Sequence, residues 1–122
     1  MERGVRMPFL ELDQFEAREI FPGIRIRAPH GENLMLSIVD FEAGGHVPLH
    51  SHPHEQGGVM LEGRMELQIG SESRVLEPGD YYIIPPDTPH QARAVGGPAR
   101  ALDIFSPIRE DYAALWTDGD TE

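Results

Sequence analysis

Short β-rich runs separated by turn residues constrain the fold of this chain more than any other feature of its sequence. After residue 33 they occupy residues 34–41, 59–61, 65–69, 74–76, 81–84, 90–95 and 100–105, bounded by Gly, Pro, Asp or Ser. No long helical pattern lies between them, so they predict a sandwich or barrel rather than β-α-β units. The 13 Gly and 11 Pro agree with a fold of many turns.

A chain of 122 residues has the size of one domain, and we expect a single domain over residues 1–122. Its expected parts are a lead-in of residues 1–33, a barrel core of residues 34–105 and a C-terminal segment of residues 106–122. The lead-in reads as irregular until Ile24-Arg25-Ile26-Arg27, where alternation predicts a first strand. Helical propensity over residues 108–116 predicts a short closing helix, and the last six residues look frayed.

The charge of the chain argues against two classes of partner. Its net charge is −11 and its pI about 4.8, so its surface repels phosphate backbones and anionic lipid headgroups. We expect no nucleic acid and no membrane as partner, whereas a buried cation or arginine would still admit an anionic small molecule. The chain has no cysteine, hence no disulfide or thiolate ligand. Its N-terminus lacks the apolar run of a signal peptide, and we expect a cytoplasmic protein.

Four of the six histidines fall within nine residues, at positions 46, 50, 52 and 54. On an extended chain residues two apart share a face, so His50 and His52 can converge on one point inside a barrel. That arrangement provides half of a metal site. The alternative for a lone His-x-His is a polar loop exposed to solvent.

The spacing around these histidines resembles two motifs of the cupin family. In the first motif, five residues separate Gly44 from His50, one separates His50 from His52, three separate His52 from Gln56, and six separate Gln56 from Gly63. In the second motif, five residues separate Gly79 from Pro85, one separates Pro85 from Asp87, and two separate Asp87 from His90. The resemblance covers roughly residues 34–105. It implies an all-β fold, a double-stranded β-helix or jelly-roll barrel with a short C-terminal helix, and a metal in its pocket.

The resemblance implies that a divalent metal is held by His50, His52, Gln56 and His90. Gln56 stands where the family usually has glutamate, and a neutral carboxamide leaves the ion its full charge and makes it a better Lewis acid. Two open positions of a six-coordinate ion suit Mn, Fe, Ni, Co or a distorted Zn site. Glu55 is an alternative fourth ligand if the chain bulges locally.

Other positions depart from the family pattern or carry no ligand role. Asp87 replaces a common glycine, and Ala94 replaces a common asparagine. We expect His54 at the pocket rim or in a structural role, His46 in a structural role, and His30 in a solvated loop.

The late strand indicates chemistry beyond metal binding. Alternation puts Asp103 and Phe105 on one face, opposite Leu102 and Ile104, and a carboxylate on the barrel side is unusual unless it serves a site. This segment, with His-Ser-His-Pro-His-Glu-Gln at residues 50–56, resembles small cupins of the pectin-degradation protein family, which linearise unsaturated uronates.

In that family an aspartate, a phenylalanine and an arginine follow at the spacing of Asp103, Phe105 and Arg109. The resemblance implies an enzyme whose substrate is a carboxylated sugar, and it implies conversion of 4,5-unsaturated uronate monosaccharides to linear 5-keto-4-deoxyuronate in pectin or alginate catabolism. Asp103 would be the general acid/base, Arg109 would bind the substrate carboxylate through two hydrogen bonds, and Phe105 would line the pocket beside the sugar.

Each of these residues also has a purely structural interpretation. Asp103 would cap a turn or pair with an arginine, Phe105 would belong to the core, and Arg109 with Glu110 and Asp111 would form an exposed ion-pair face. A metal-dependent dioxygenase or other oxidoreductase, a quercetinase-like or pirin-like enzyme, and a non-enzymatic ligand-binding cupin are the competing functions. We expect a homodimer, to which the apolar lead-in of residues 9–21 could contribute.

Overall fold

The structure is a computed structural model, and it describes residues 8–116. Within that range the strands are β1 (Arg18–Phe21), β2 (Ile24–Arg27), β3 (Met35–Phe41), β4 (His46–His50), β5 (Glu55–Glu62), β6 (Met65–Ile69), β7 (Glu72–Leu76), β8 (Tyr81–Ile84), β9 (His90–Ala94) and β10 (Ala99–Ser106). A 3-10 turn at Leu12–Gln14 precedes the strands. Helix α1 (Glu110–Ala113) and a 3-10 turn at Ala114–Trp116 follow them.

The strands form two antiparallel sheets. The larger has the order β1-β2-β3-β10-β5-β8, and the smaller has the order β4-β9-β6-β7. From β3 onward the chain crosses from one sheet to the other at every connection except the β6-β7 hairpin. The fold is therefore the predicted all-β jelly roll with a short C-terminal helix.

The hydrophobic core fills the space between the two sheets. Ile24 and Ile26 on β2 point inward and are 0% and 1% exposed, whereas Arg25 between them faces solvent. Met60 on β5 and Ile84 on β8 are buried to the same degree. Burying one such side chain contributes about 1.5–3 kcal/mol, so these contacts hold the sheets face to face.

The lead-in is more regular than its sequence predicts. Residues Arg18–Phe21 form β1, which pairs with β2 through a turn where Gly23 has a φ of +79°. The prediction of a solvated loop at His30 was also wrong. His30 is 7% exposed, and a β-bridge to Met35 holds its backbone against the start of β3.

The C-terminal segment packs back onto the lead-in. The indole Nε1–H of Trp116 donates to the backbone oxygen of Glu16 at 2.8 Å, and Arg18 Nε–H donates to the backbone oxygen of Leu115 at 3.1 Å. The guanidinium of Arg18 lies 5.8 Å from the centre of the indole ring. These contacts confirm a closing element near residues 108–116, although its α-helical part is one turn long. The predicted frayed residues 117–122 lie outside the described residues.

The outer face of the larger sheet carries exposed apolar side chains. Leu36, Ile104 and Ile83 lie in one row across β3, β10 and β8, with Gly57 of β5 between the last two. The three side chains are 41%, 37% and 64% exposed. Among the described residues, no helix combines the length and apolarity needed to span a bilayer.

The turn before β9 gives a test of backbone strain. Asp87 has a φ of +62° and occupies the third position of a turn in which Thr88 N–H donates to the Pro85 oxygen at 3.3 Å. A Cβ costs about 1–2 kcal/mol in this conformation, and glycine avoids that cost. We expect Asp87→Gly to be more stable than Asp87→Ala by about 1 kcal/mol, or about 4 °C in melting temperature. Thermal unfolding of the two variants checks the order, and an alanine variant as stable as the glycine variant would contradict it.

Candidate metal centre

Strand pairing brings three imidazoles together at one end of the barrel. His50 ends β4 and His90 begins β9, and the two residues are paired across these antiparallel strands. His52 follows in the loop after β4. The ring centres of His50 and His90 are 4.3 Å apart, and those of His52 and His90 are 5.0 Å apart. One ring nitrogen of each histidine lies within 4.8 Å of the other two, a cluster that could hold a metal ion.

Backbone carbonyls fix the tautomer of all three rings. The Nδ1 atoms of His50, His52 and His90 lie 2.8, 3.1 and 2.8 Å from the carbonyl oxygens of Pro48, His54 and Thr88. A carbonyl oxygen only accepts, so Nδ1 carries the proton in each ring and Nε2 carries a lone pair. Outer contacts of this kind orient metal-ligating histidines in proteins.

Gln56 completes the cluster from the adjacent sheet. It faces inward from β5 with 7% exposure, whereas Glu55 is exposed on the opposite face, away from the imidazoles. The Gln56 oxygen Oε1 lies 3.0 Å from His52 Nε2. Because Nδ1 of the neutral His52 ring carries the proton and donates it to a carbonyl, Nε2 of that ring is an acceptor, like the Gln56 oxygen that it faces. Two facing acceptors do not hydrogen-bond to each other, but a cation between them would satisfy both.

The electrostatics of the cluster favour neutral imidazoles at His52 and His90. Burial lowers the pKa of His90 from 6.5 to about 4, and burial followed by the charge of Arg109 lowers the pKa of His52. The His90 Nε2 atom is buried and has no hydrogen-bond partner among the described residues. Three unprotonated nitrogens and a carboxamide oxygen around one point are suitable donors for a divalent metal. The residues present therefore fit the ion that the sequence motif implies.

A carboxylate lies beside the cluster. Asp103 faces inward from β10, where its Oδ1 accepts a 2.6 Å hydrogen bond from the Tyr82 hydroxyl, and its carboxylate also accepts from the Gln56 carboxamide. Burial raises the pKa of Asp103 to about 6, in spite of these two donors. Burial also raises the pKa of Tyr82 well above 10, so its hydroxyl remains a donor. The turn-capping alternative for Asp103 does not match these contacts, whereas the charge of an arginine, Arg109, does act on the carboxyl group and opposes the rise of its pKa.

Arg109 lies over aromatic rings at the same end of the barrel. Its side chain is 11% exposed, and its guanidinium carbon is 5.3 Å from the ring centre of Phe105 and 3.9 Å from that of Tyr112. Asp111 holds the Nε and Nη2 edge at 3.3 and 2.8 Å. Arg109 thus forms the ion pair with Asp111 that its structural interpretation predicts, but the arginine itself is buried and only the aspartate is exposed, at 62%.

One cavity joins these groups. Its walls include His50, Gln56, His90, Asp103, Phe105 and Arg109, and His52 contacts Gln56 and Phe105 from one side. The cavity is partly open, and the room that it offers to the centres of water-sized groups is about 50 Å³, enough for an ion and a few such groups. Six of the seven side chains predicted from the sequence therefore line one cavity and the seventh, His52, contacts two of them, with Phe105 belonging both to the core and to the cavity wall.

The remaining histidines lie outside the cluster, and other residues join it unexpectedly. His46 bonds Gln91 at 2.9 Å, and His54 contributes its backbone oxygen to His52, so both have structural contacts. Tyr82 and Tyr112 were missed. Because β8 has the sequence Tyr-Tyr-Ile-Ile, its pattern does not show which tyrosine points inward, and only the strand register shows that Tyr82 faces Asp103.

Comparison with known proteins agrees with this geometry. Residues 37–105 match the family model of the cupin domain. The pectin degradation protein KdgF of Dickeya dadantii is 30% identical over 82 residues, which cover 66% of this chain and 74% of that protein. The solved structure of KdgF from Halomonas sp. aligns with a TM-score of 0.81 at 31% identity, over 88% of this chain and 99% of that chain. Quercetin 2,3-dioxygenase of Bacillus subtilis is 41% identical over 64 residues, 52% of this chain and 19% of that protein. The chain therefore belongs to the cupin family, as a small cupin that resembles the pectin degradation protein KdgF.

Proposed function

We propose that this chain is a metal-dependent enzyme that converts 4,5-unsaturated uronate monosaccharides to linear 5-keto-4-deoxyuronate in pectin or alginate catabolism. One observation carries the proposal: the carboxylate of Asp103 and the guanidinium of Arg109 line the same cavity as the imidazole cluster. A proton-transfer group, an anion-binding group and a metal site within one cavity are what a carboxylated enol ether requires. The resemblance to KdgF supports the same assignment.

We propose that His50, His52, Gln56 and His90 hold a divalent ion, with Mn, Fe, Ni, Co and Zn as the candidates. When bound, it would supply Lewis-acid stabilisation of negative charge on substrate oxygens. The protein contributes neutral donors to the ion. Its four ligands add no negative charge, and the carboxylate of Asp103 contacts one of them, Gln56.

The proposed reaction is an isomerisation that needs only proton transfers by the protein. The C1 hydroxyl loses its proton as the C1–O5 bond breaks, O5 takes up a proton to give an enol, and that enol loses the proton while C4 gains one. Asp103 faces the cavity and is the group that would move these protons. Phe105 would form a wall for the sugar.

Arg109 would bind the substrate carboxylate. Asp111 already occupies the Nε and Nη2 edge of the guanidinium, so the carboxylate would meet the end that carries Nη1. The aromatic rings of Phe105 and Tyr112 fix the plane of the guanidinium, which reduces the entropy that binding must remove.

A metal-dependent dioxygenase is the second candidate function. It is favoured by the similarity of half of this chain to quercetin 2,3-dioxygenase. The two functions differ in their need for oxygen, because the isomerisation consumes none. Turnover of an unsaturated uronate under argon supports the first function, and oxygen-dependent turnover of an aromatic substrate supports the second.

The homodimer stays a prediction. The row formed by Leu36, Ile104 and Ile83 on the outer face of the larger sheet offers apolar area that a second copy would cover. The lead-in is less suited to this role than its sequence predicts, because β1 already pairs with β2 of its own chain.

Metal binding is tested by removing His90, whose buried Nε2 has no hydrogen-bond partner in residues 8–116. We expect His90→Ala to lose stoichiometric metal, because the ion loses one of three imidazoles. His46→Ala is the matched control, since His46 lies on the same pair of strands but outside the cluster. Metal content after loading and desalting, measured by mass spectrometry, gives the result. Equal metal content in both variants would contradict the proposed ligand set.

The role of Asp103 is tested by Asp103→Asn, which keeps the shape and removes the exchangeable proton of the carboxyl group. We expect kcat for loss of the unsaturated uronate absorbance to fall about 100-fold or more, while the protein still loads metal supplied in excess. Spontaneous ring opening is subtracted with a protein-free sample. Wild-type turnover in Asp103→Asn would remove Asp103 from the proton transfer.

A further inference from the structure

A glycine lets a tyrosine reach across the inner face of the larger sheet. Asp103 on β10 is paired with Gly58 on β5, and Gly58 is paired with Tyr82 on β8. Tyr82 and Asp103 are thus two strands apart, about 10 Å in the hydrogen-bonding direction. A Cβ at Gly58 would overlap the ring and hydroxyl of Tyr82. The missing side chain leaves the room in which the tyrosine lies over β5.

The hydroxyl of Tyr82 ends at the carboxylate of Asp103. Its oxygen is 2.6 Å from Asp103 Oδ1, the separation of a strong, charge-assisted hydrogen bond. Tyr82 is only 9% exposed and its ring also lines the cavity, so little solvent is available to replace this donor. The contact fixes the orientation of the Asp103 carboxylate.

Asp103 in turn orients the carboxamide of Gln56. The amide nitrogen is the only donor of that side chain, so its hydrogen bond to Asp103 sets which way the group faces. The oxygen Oε1 then lies toward His52 Nε2, at 3.0 Å. If the amide turned over, a donor nitrogen would face the imidazoles and could not bind a cation.

We propose that Tyr82 is a positioning residue for the metal centre, acting through Asp103 to hold the oxygen of Gln56 toward the ion. This inference rests on the proposed metal site but not on the proposed substrate. It gives Tyr82 a role that a core side chain of the same shape could not fill, because the hydroxyl and not the ring carries the effect.

The experiment is a cobalt(II) titration of the metal-free protein without substrate, followed by visible absorption and affinity. Tyr82→Phe keeps the ring and removes the hydroxyl. Tyr81→Phe is the matched control, since Tyr81 directly precedes Tyr82 on the same strand and is 80% exposed. We expect Tyr82→Phe to bind cobalt about tenfold more weakly with altered absorption bands, and Tyr81→Phe to behave as the wild type.

Gly58→Ala provides a second variant, because its Cβ displaces the tyrosine while leaving the hydroxyl present. It should reproduce the altered cobalt spectrum if the position of Tyr82 matters. Wild-type affinity and spectrum in folded Tyr82→Phe would overturn the proposal. Failure of the wild type to bind cobalt would overturn it together with the metal site. Cobalt binding by a wild type that does not turn over the uronate would count against the substrate assignment alone. The cobalt affinities and spectra of the wild type and Tyr82→Phe would still decide the role of Tyr82.

Discussion

The pairing of His50 with His90 across β4 and β9 is the interaction on which the rest of the site depends. Antiparallel register brings two residues far apart in sequence to ring centres 4.3 Å apart, without any long loop to hold them. Their backbone carbonyl partners then leave Nε2 of each ring free of its proton. The carboxamide of Gln56, from the other sheet, approaches the third imidazole of the cluster, with its oxygen 3.0 Å from Nε2 of His52.

The sequence predicted this part of the molecule because its signals are local. His50 and His52 are two residues apart, and the glycines and prolines around them mark the ends of short strands. The bounds of β6 and β8 coincide with the predicted runs. Apolar and polar residues alternate along β6, and β8 is a run of aromatic and β-branched residues bounded by Asp80 and Pro85. Strand β1 escaped prediction because its stability comes from pairing with β2, which a single sequence does not display.

The contacts around Asp103 could not be predicted for a different reason. They depend on which residue of β5 lies opposite Asp103 and which residue of β8 lies beyond it, and a shift of one residue would reverse the faces. In the sequence alone, Gly58 indicates either a turn or a weak position within a strand, and the strand register is needed to decide between them. The sequence predicts an ion pair of Arg109 with Asp111, but the burial of the arginine follows from the aromatic rings on which it lies.

The contact of Trp116 with the lead-in has a practical consequence. The sequence contains one tryptophan, and its indole is bonded to Glu16 and lies near Arg18, at the junction of the two ends of the described chain. Helix α1, which connects Arg109 to this indole, is a single turn. The intrinsic fluorescence of the protein therefore reports on whether the segment carrying the cavity arginine is docked, separately from the state of the barrel itself.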